Sequence, residues 1–165
     1  LERLLYSVCG SDTEVAGYMA ELAGTGRYEV SDAVKAVIGK HFVGGYCSDD
    51  ETKSAINKVY TENGYLMDTH TAVAYNKLAA YRKDTGCVTP AVVVSTASPY
   101  KFCNSVLQAL GQESDAPGTE LIEKLSEVTK TAIPKPLKGL DRREKRFELV
   151  VDKPEMKATV ADFLK

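Results

Sequence analysis

A chain of 165 residues, 44% hydrophobic and 27% charged, can bury a sizeable core, which argues against a disordered polar segment. Its net charge of −2 offers no general attraction for nucleic acid or an anionic membrane, so neither partner is expected. Its apolar runs fall far short of the roughly 20 residues that cross a bilayer.

In chain order, helical spacing dominates the first ninety residues. Leu1, Leu4, Leu5 and Val8 form one stripe, and Val15, Tyr18, Met19 and Leu22 form a second, closed by Gly24 and Gly26. Ser31 is placed to cap a helix that buries Val34, Val37 and Ile38, and Phe42 to Tyr46 reads as a short strand or an extended link. Ser48-Asp49-Asp50-Glu51 is a capping box that leads into Ala55, Ile56, Val59 and Tyr60, and Gly64 ends that helix. The next helix starts near Thr69, carries Thr71, Ala74, Tyr75, Leu78 and Tyr81 on one side, and stops by Gly86.

Ala91 to Ser95 is apolar and β-branched, the pattern of a buried strand. Pro99 suits the first turn of a helix running from about 99 to 110, since its missing N–H is not needed there. A strand entering a helix, preceded by a crossover helix, is how parallel α/β sheets are wound. Ligands in such sheets sit at the carboxyl ends of strands, which points to Ser95 and Thr96. Beyond Pro117, Leu121, Ile122, Leu125 and Val128 predict an amphipathic helix that is broken before Pro134. Residues 147–151 alternate as an edge strand, and Pro154 opens a terminal helix with Met156, Val160 and Phe163.

Three segments carry a family resemblance. Ser95-Thr96-Ala97-Ser98-Pro99-Tyr100-Lys101-Phe102 resembles the Thr-Ala-His-Pro-x-Lys-Phe segment of threonine synthases, which are fold-type II pyridoxal-phosphate enzymes. Leu1 to Leu5 resembles their Asn-Phe-Glu-Arg-Leu-Leu helix start, and Tyr65 to Tyr75 their Asp/Glu-Pro-His-x-Ala-Val-Ala-Tyr segment, in the same order and at similar spacing. Thr69 stands where the family usually has Pro, and Ser98 where it often has His, so no role that leans on that His is carried over.

The resemblance implies an α/β fold: a carboxyl-terminal fragment of a fold-type II enzyme, mostly helical with a small, partly parallel sheet. Residues 1–111 would belong to the large cofactor-binding domain, and 112–165 would form a carboxyl-terminal helical extension with an edge strand. The implied reaction converts O-phosphohomoserine and water to threonine and phosphate with pyridoxal phosphate. The family's cofactor-bearing lysine segment and Gly/Asn-rich phosphate loop lie upstream of the Glu-Arg-Leu-Leu helix and are not among these residues. The fragment alone is therefore expected to be inactive and not to bind the cofactor. A sheet short of its neighbouring strands exposes apolar faces and edge groups, so self-association is expected.

Within the resemblance, Thr96 corresponds to the hydroxyl that meets the cofactor's pyridine nitrogen, with Ser95 the second choice; the plainer role is a backbone bond at the strand end. Lys101 lies far from the family's cofactor-bearing lysine and is either a contact to phosphate or cofactor or a surface lysine. His70 starts a helix after Asp68, where its ring can bond a carbonyl, pair with Asp68 or stand beside the site. His41 reads as a solvated helix end.

Asp49-Asp50-Glu51 suits a helix start better than a metal, because negative charge is favourable there. Lys138, Arg142, Arg143, Lys145 and Arg146 form a basic cluster diluted by Asp141 and Glu144, a solvated loop or a phosphate or partner contact. Cys9, Cys47, Cys87 and Cys103 lack zinc-site spacing and read as reduced thiols packed as small hydrophobes, which fits the cytoplasm. Two rivals remain: another fold-type II lyase or dehydratase, and a non-catalytic interaction module derived from one.

Overall fold

The structure, a computed structural model, describes residues 1–144 and 146–164. The chain divides into two compact units, residues 1–46 and 47–165, each with its own apolar cluster, where the length alone suggested a single core.

The first unit holds α1 (Glu2–Cys9), α2 (Asp12–Thr25) and α3 (Asp32–Gly39). Serine hydroxyls open two of them: Ser11 Oγ accepts from the Glu14 N–H at 3.1 Å and Ser31 Oγ from the Val34 N–H at 3.4 Å. Each helix contributes one buried residue, Leu5, Val15 and Val34, around which Val8, Met19 and Ile38 are half-buried. Val37, expected on the same buried face, is exposed. Tyr18 joins α2 to α3: its hydroxyl donates to Glu14 at 2.5 Å and accepts from the Ser31 N–H at 3.3 Å. Phe42 to Tyr46 is an unpaired link.

The second unit is built from α4 (Asp49–Asn63), α5 (Thr69–Thr85), α6 (Cys103–Ala109) and α7 (Gly118–Thr129), with α8 (Met156–Phe163) near its end. The Ser48 capping box forms as read from sequence. Ser48 Oγ accepts from the Glu51 N–H at 3.2 Å, and Glu51 accepts from the Ser48 N–H at 2.8 Å. Gly64 and Gly86 end α4 and α5 at φ of 67° and 68°, a left-handed conformation that a side chain resists.

α4 packs on α5 and α6, and α6 packs on α7. Ile56, Ala72, Val106, Leu107 and Leu125 are shut from solvent at the centre of that body. Polar ties cross it: Asn57 Nδ2 donates to the Ala109 carbonyl at 2.9 Å, and the Tyr100 hydroxyl to the Thr131 carbonyl at 2.8 Å. On α5 the buried pair is Thr71 and Ala72, whereas Ala74 and Tyr81 are exposed. Its apolar and polar residues are spread around the helix rather than gathered on one face, so its neighbours decide which face turns inward.

The expected sheet is the main correction. Among the described residues there is no strand: 91–95 and 147–151 are unpaired. Val92 is 89% exposed and Val150 90%. A strand is completed by the N–H and C=O groups of a neighbour, and no described segment supplies them. The helix expected over 99–110 begins as a 3-10 turn, Pro99–Lys101, and continues as α6. A 3-10 turn at Lys153–Glu155 precedes α8, with Pro154 in its first turn, and Met156, Val160 and Phe163 are exposed.

Candidate functional site

The site is organised by a buried carboxylate at the start of α5. Asp68 is 1% exposed and caps the helix, accepting on Oδ1 from the His70 N–H at 2.9 Å and the Thr71 N–H at 3.3 Å. Its second oxygen accepts from the Thr71 hydroxyl. The same hydroxyl lies 3.1 Å from Ser95 Oγ, 24 residues further along the chain. The carboxyl end of the apolar 91–95 segment is thereby tethered to the start of α5.

The next residues along the chain are anchored from the other direction. Ser98 Oγ accepts from the Tyr100 N–H at 3.3 Å, opening the Pro99–Lys101 turn. The buried Tyr100 ring then reaches Thr131, bonding both its carbonyl and its hydroxyl at 2.8 Å. Between these anchors, Thr96 is exposed, and its hydroxyl has no partner among the described residues. A neutral, unengaged hydroxyl that can donate and accept suits a pyridine nitrogen, so this residue fits the cofactor contact implied by the resemblance.

His70 and Lys101 both approach the ring of Phe102. The His70 ring centroid is 5.0 Å from that of Phe102, and Lys101 Nζ is 5.6 Å from the same ring. His70 Nδ1 stands 3.5 Å from Asp68 Oδ1 and 3.4 Å from Thr69 Oγ1, while its side chain is 65% exposed. Thr69 and His70 also line a cleft of about 390 Å³ with Cys47, Thr52, Lys53 and Gln108. Neither Ser95 nor Thr96 is part of that lining. Ser95 thus meets α5 at Thr71, and His70 and Lys101 both approach Phe102, whereas His41 stays exposed in the first unit, past the end of α3.

Sequence reading treated Asp68 only as a partner for His70 and Thr71 only as a helix-face residue. Their functional signal was the spacing: a cap with a hydroxyl three residues on can be locked to that hydroxyl as well as to the backbone. Of the remaining candidates, Glu51 is engaged in the capping box, and no group of three or more His, Cys, Asp or Glu is arranged for a metal ion among the described residues. The basic segment is partly self-satisfied, Arg143 donating to the Lys138 carbonyl at 3.4 Å; Lys145 lies outside the described residues. All four cysteines are free, and burial pushes the Cys103 thiol up. No helix is long and apolar enough to cross a membrane among the described residues.

The family model "Threonine synthase, C-terminal" matches residues 71–161, which take in α5 from Thr71 onward, Ser95, Thr96 and the Tyr100 anchor. Human "Threonine synthase-like 1" is 34% identical over 112 residues, 67% of this chain and 14% of that protein. The crystal structure of PLP-bound threonine synthase from Brucella melitensis superposes with a TM-score of 0.53 at 30% identity, covering 79% of this chain and 27% of that one. The yeast threonine synthase structure gives 0.67 at 24% identity, covering 99% of this chain and 33% of that one, a likeness of fold. The chain therefore spans a third or less of these relatives. With more than half of its residues inside the family match, this chain belongs to the threonine synthase family, of which it represents the carboxyl-terminal part.

Proposed function

We propose that this chain is the carboxyl-terminal part of an enzyme that converts O-phosphohomoserine and water to threonine and phosphate with pyridoxal phosphate, in the cytoplasm. The reading is carried by one observation: Thr96 offers an unengaged hydroxyl at the carboxyl end of the apolar 91–95 segment, inside the stretch that matches the family. When bound, pyridoxal phosphate supplies an electron sink for elimination at the γ carbon of the substrate and hydration at the β carbon. Thr96 meets its ring nitrogen with a neutral hydroxyl, which leaves that nitrogen largely unprotonated, as a carboxylate would not. Ser95 is the alternative for the same contact. Lys101 offers a cation beside the site for a phosphate group, and His70 stands at the site's margin. Residues 1–111 belong to the cofactor-binding domain in this reading and 112–165 to a helical extension.

The 165 residues alone, mixed with pyridoxal phosphate, are expected to show no specific cofactor absorption and no phosphate release from O-phosphohomoserine. In the enzyme that carries them, Thr96→Ala leaves a ring acceptor without its donor, at about 1–3 kcal/mol, and turnover falls while most cofactor stays bound. Thr96→Ser is much milder, and Thr96→Asp shifts the absorption spectrum. Normal turnover by a folded Thr96→Ala enzyme would end the assignment.

A second reading is favoured by the relatives whose name is "Threonine synthase-like 1" rather than threonine synthase. It makes the parent another fold-type II lyase or dehydratase. Phosphate release from O-phosphohomoserine by the cofactor-loaded enzyme separates the two.

A further inference from the structure

The cleft of about 390 Å³ beside α5 is separate from the hydroxyls at 95 and 96, and its lining has a chemistry of its own. It lies where α4 packs on α5 and α6, and its size falls at the small end of the roughly 300–1,000 Å³ usual for ligand clefts. One carboxylate, Asp49, and one ammonium, Lys53, line it, both from α4. From α5 come the His70 imidazole and the half-buried Val73, and from α6 the half-buried Ser105.

Asp49 and Lys53 are four residues apart, so their side chains rise from one face of the helix, an arrangement in which opposite charges ordinarily pair. Here they do not. Neither side chain makes an ion pair or a hydrogen bond among the described residues, although Lys53 is half-buried. The neighbouring Glu51 carboxylate is already committed to the Ser48 N–H. The cleft therefore carries two opposite charges one turn of helix apart, each open to an outside partner. A simple anion placed there is repelled by Asp49, a simple cation by Lys53, and a neutral molecule leaves both unpaired. A molecule with an ammonium and a carboxylate on one carbon satisfies both at once through charge-assisted hydrogen bonds.

We propose that this cleft is a binding site for a free α-amino acid, its carboxylate on Lys53 and the Ser105 hydroxyl and its ammonium on Asp49. Val73 is the one aliphatic residue among those described that line the cleft, which calls for a short side chain. An amino acid held there ties α4 to α6 beside the start of α5. The site stands apart from the cofactor reading of Thr96, because neither Ser95 nor Thr96 lines it.

The test is calorimetric titration of the 165-residue chain, without pyridoxal phosphate, by glycine, L-serine and L-valine, with acetate and methylamine as ligands of a single charge. At least one amino acid is expected to bind saturably, one per chain, with a dissociation constant of about 1 mM or tighter, and at least tenfold more tightly than either acetate or methylamine. At ten times that constant it lowers the unfolding equilibrium constant about elevenfold in a denaturant titration. Asp49→Asn and Lys53→Met should each weaken binding at least about tenfold, while Lys58→Met, which lines only the adjoining cleft, should leave it unchanged. Asp49→Lys makes the cleft doubly cationic and should exchange the amino acid for acetate, a gain that loss of folding cannot imitate. No saturable binding of any of the three amino acids up to about 20 mM overturns the proposal. So does acetate binding as tightly as the best amino acid, or binding that survives both Asp49→Asn and Lys53→Met. None of these outcomes bears on Thr96, which is judged by turnover in the cofactor-loaded enzyme.

Discussion

The helical body of α4 to α7 and the apolar segment at 91–95 make opposite use of similar material. Both are rich in branched aliphatic residues, and by composition the segment is the stronger candidate for a core. Yet Ile56, Val106, Leu107 and Leu125 are sealed, while Val92 and Val94 are mostly in solvent. A helix satisfies its backbone within itself and needs a neighbour only for one face. A strand needs neighbours for its backbone as well as its side chains, and none of the described residues pairs with 91–95. Apolar character therefore became core only where the local structure was already complete.

The sharpest way to break this comparison is to truncate one residue from each region. Leu125→Ala should destabilise the chain by about 2–5 kcal/mol in a denaturant titration, because it opens a cavity among packed helices. Val92→Ala should change stability by no more than about 0.5 kcal/mol, as an exposed substitution does. Comparable losses at both positions would show that 91–95 is packed after all.

The exposed segment also predicts association. Unpaired edge groups together with Val88, Val92 and Val94 favour contact with a second copy, so sedimentation should find dimers or larger species that grow with concentration. Placing Lys at both 92 and 94 should move the distribution toward monomer. A clean monomer of the unaltered chain at high concentration would count against a truncated sheet and in favour of an autonomous helical module.

The smallest effect belongs to the helical body and sharpens the claim that its ends are locally completed. The Ser48 N–H on its carboxylate, helped by Lys77, holds the Glu51 acid below the ordinary carboxylate range. A group held low in the folded chain contributes its stability above its unfolded value and loses it as pH falls through the depressed one. The melting temperature of the unaltered chain should therefore slip between roughly pH 5 and pH 3 at this site. Glu51→Gln still accepts from Ser48 and does not titrate, so it should remove that part of the slope. An identical acid profile for both would detach Glu51 from the cap.

Helix boundaries were legible in the residues because caps are local chemistry. Ser31, the Ser48 box, Gly64, Gly86 and Pro117 each act within one turn of chain, and each does so in the structure. The three motif segments, being contiguous, were legible for the same reason. The inward face of α5 was not, since Thr71 and Ala72 are buried by what α5 meets rather than by their own pattern. The strands at 91–95 and 147–151 were misread because their completion depends on backbone groups that no described residue offers.

Sequence by itself determined the helices, their ends and the family that the motifs resemble, all of which depend on residues a few places apart. Only tertiary structure decided that Asp68, Thr71 and Ser95 form one chain of hydrogen bonds while Thr96 stands free. The physical reason is distance along the chain: Thr71 and Ser95 are 24 residues apart, and a hydroxyl's partner is chosen by what the fold brings within about 3 Å.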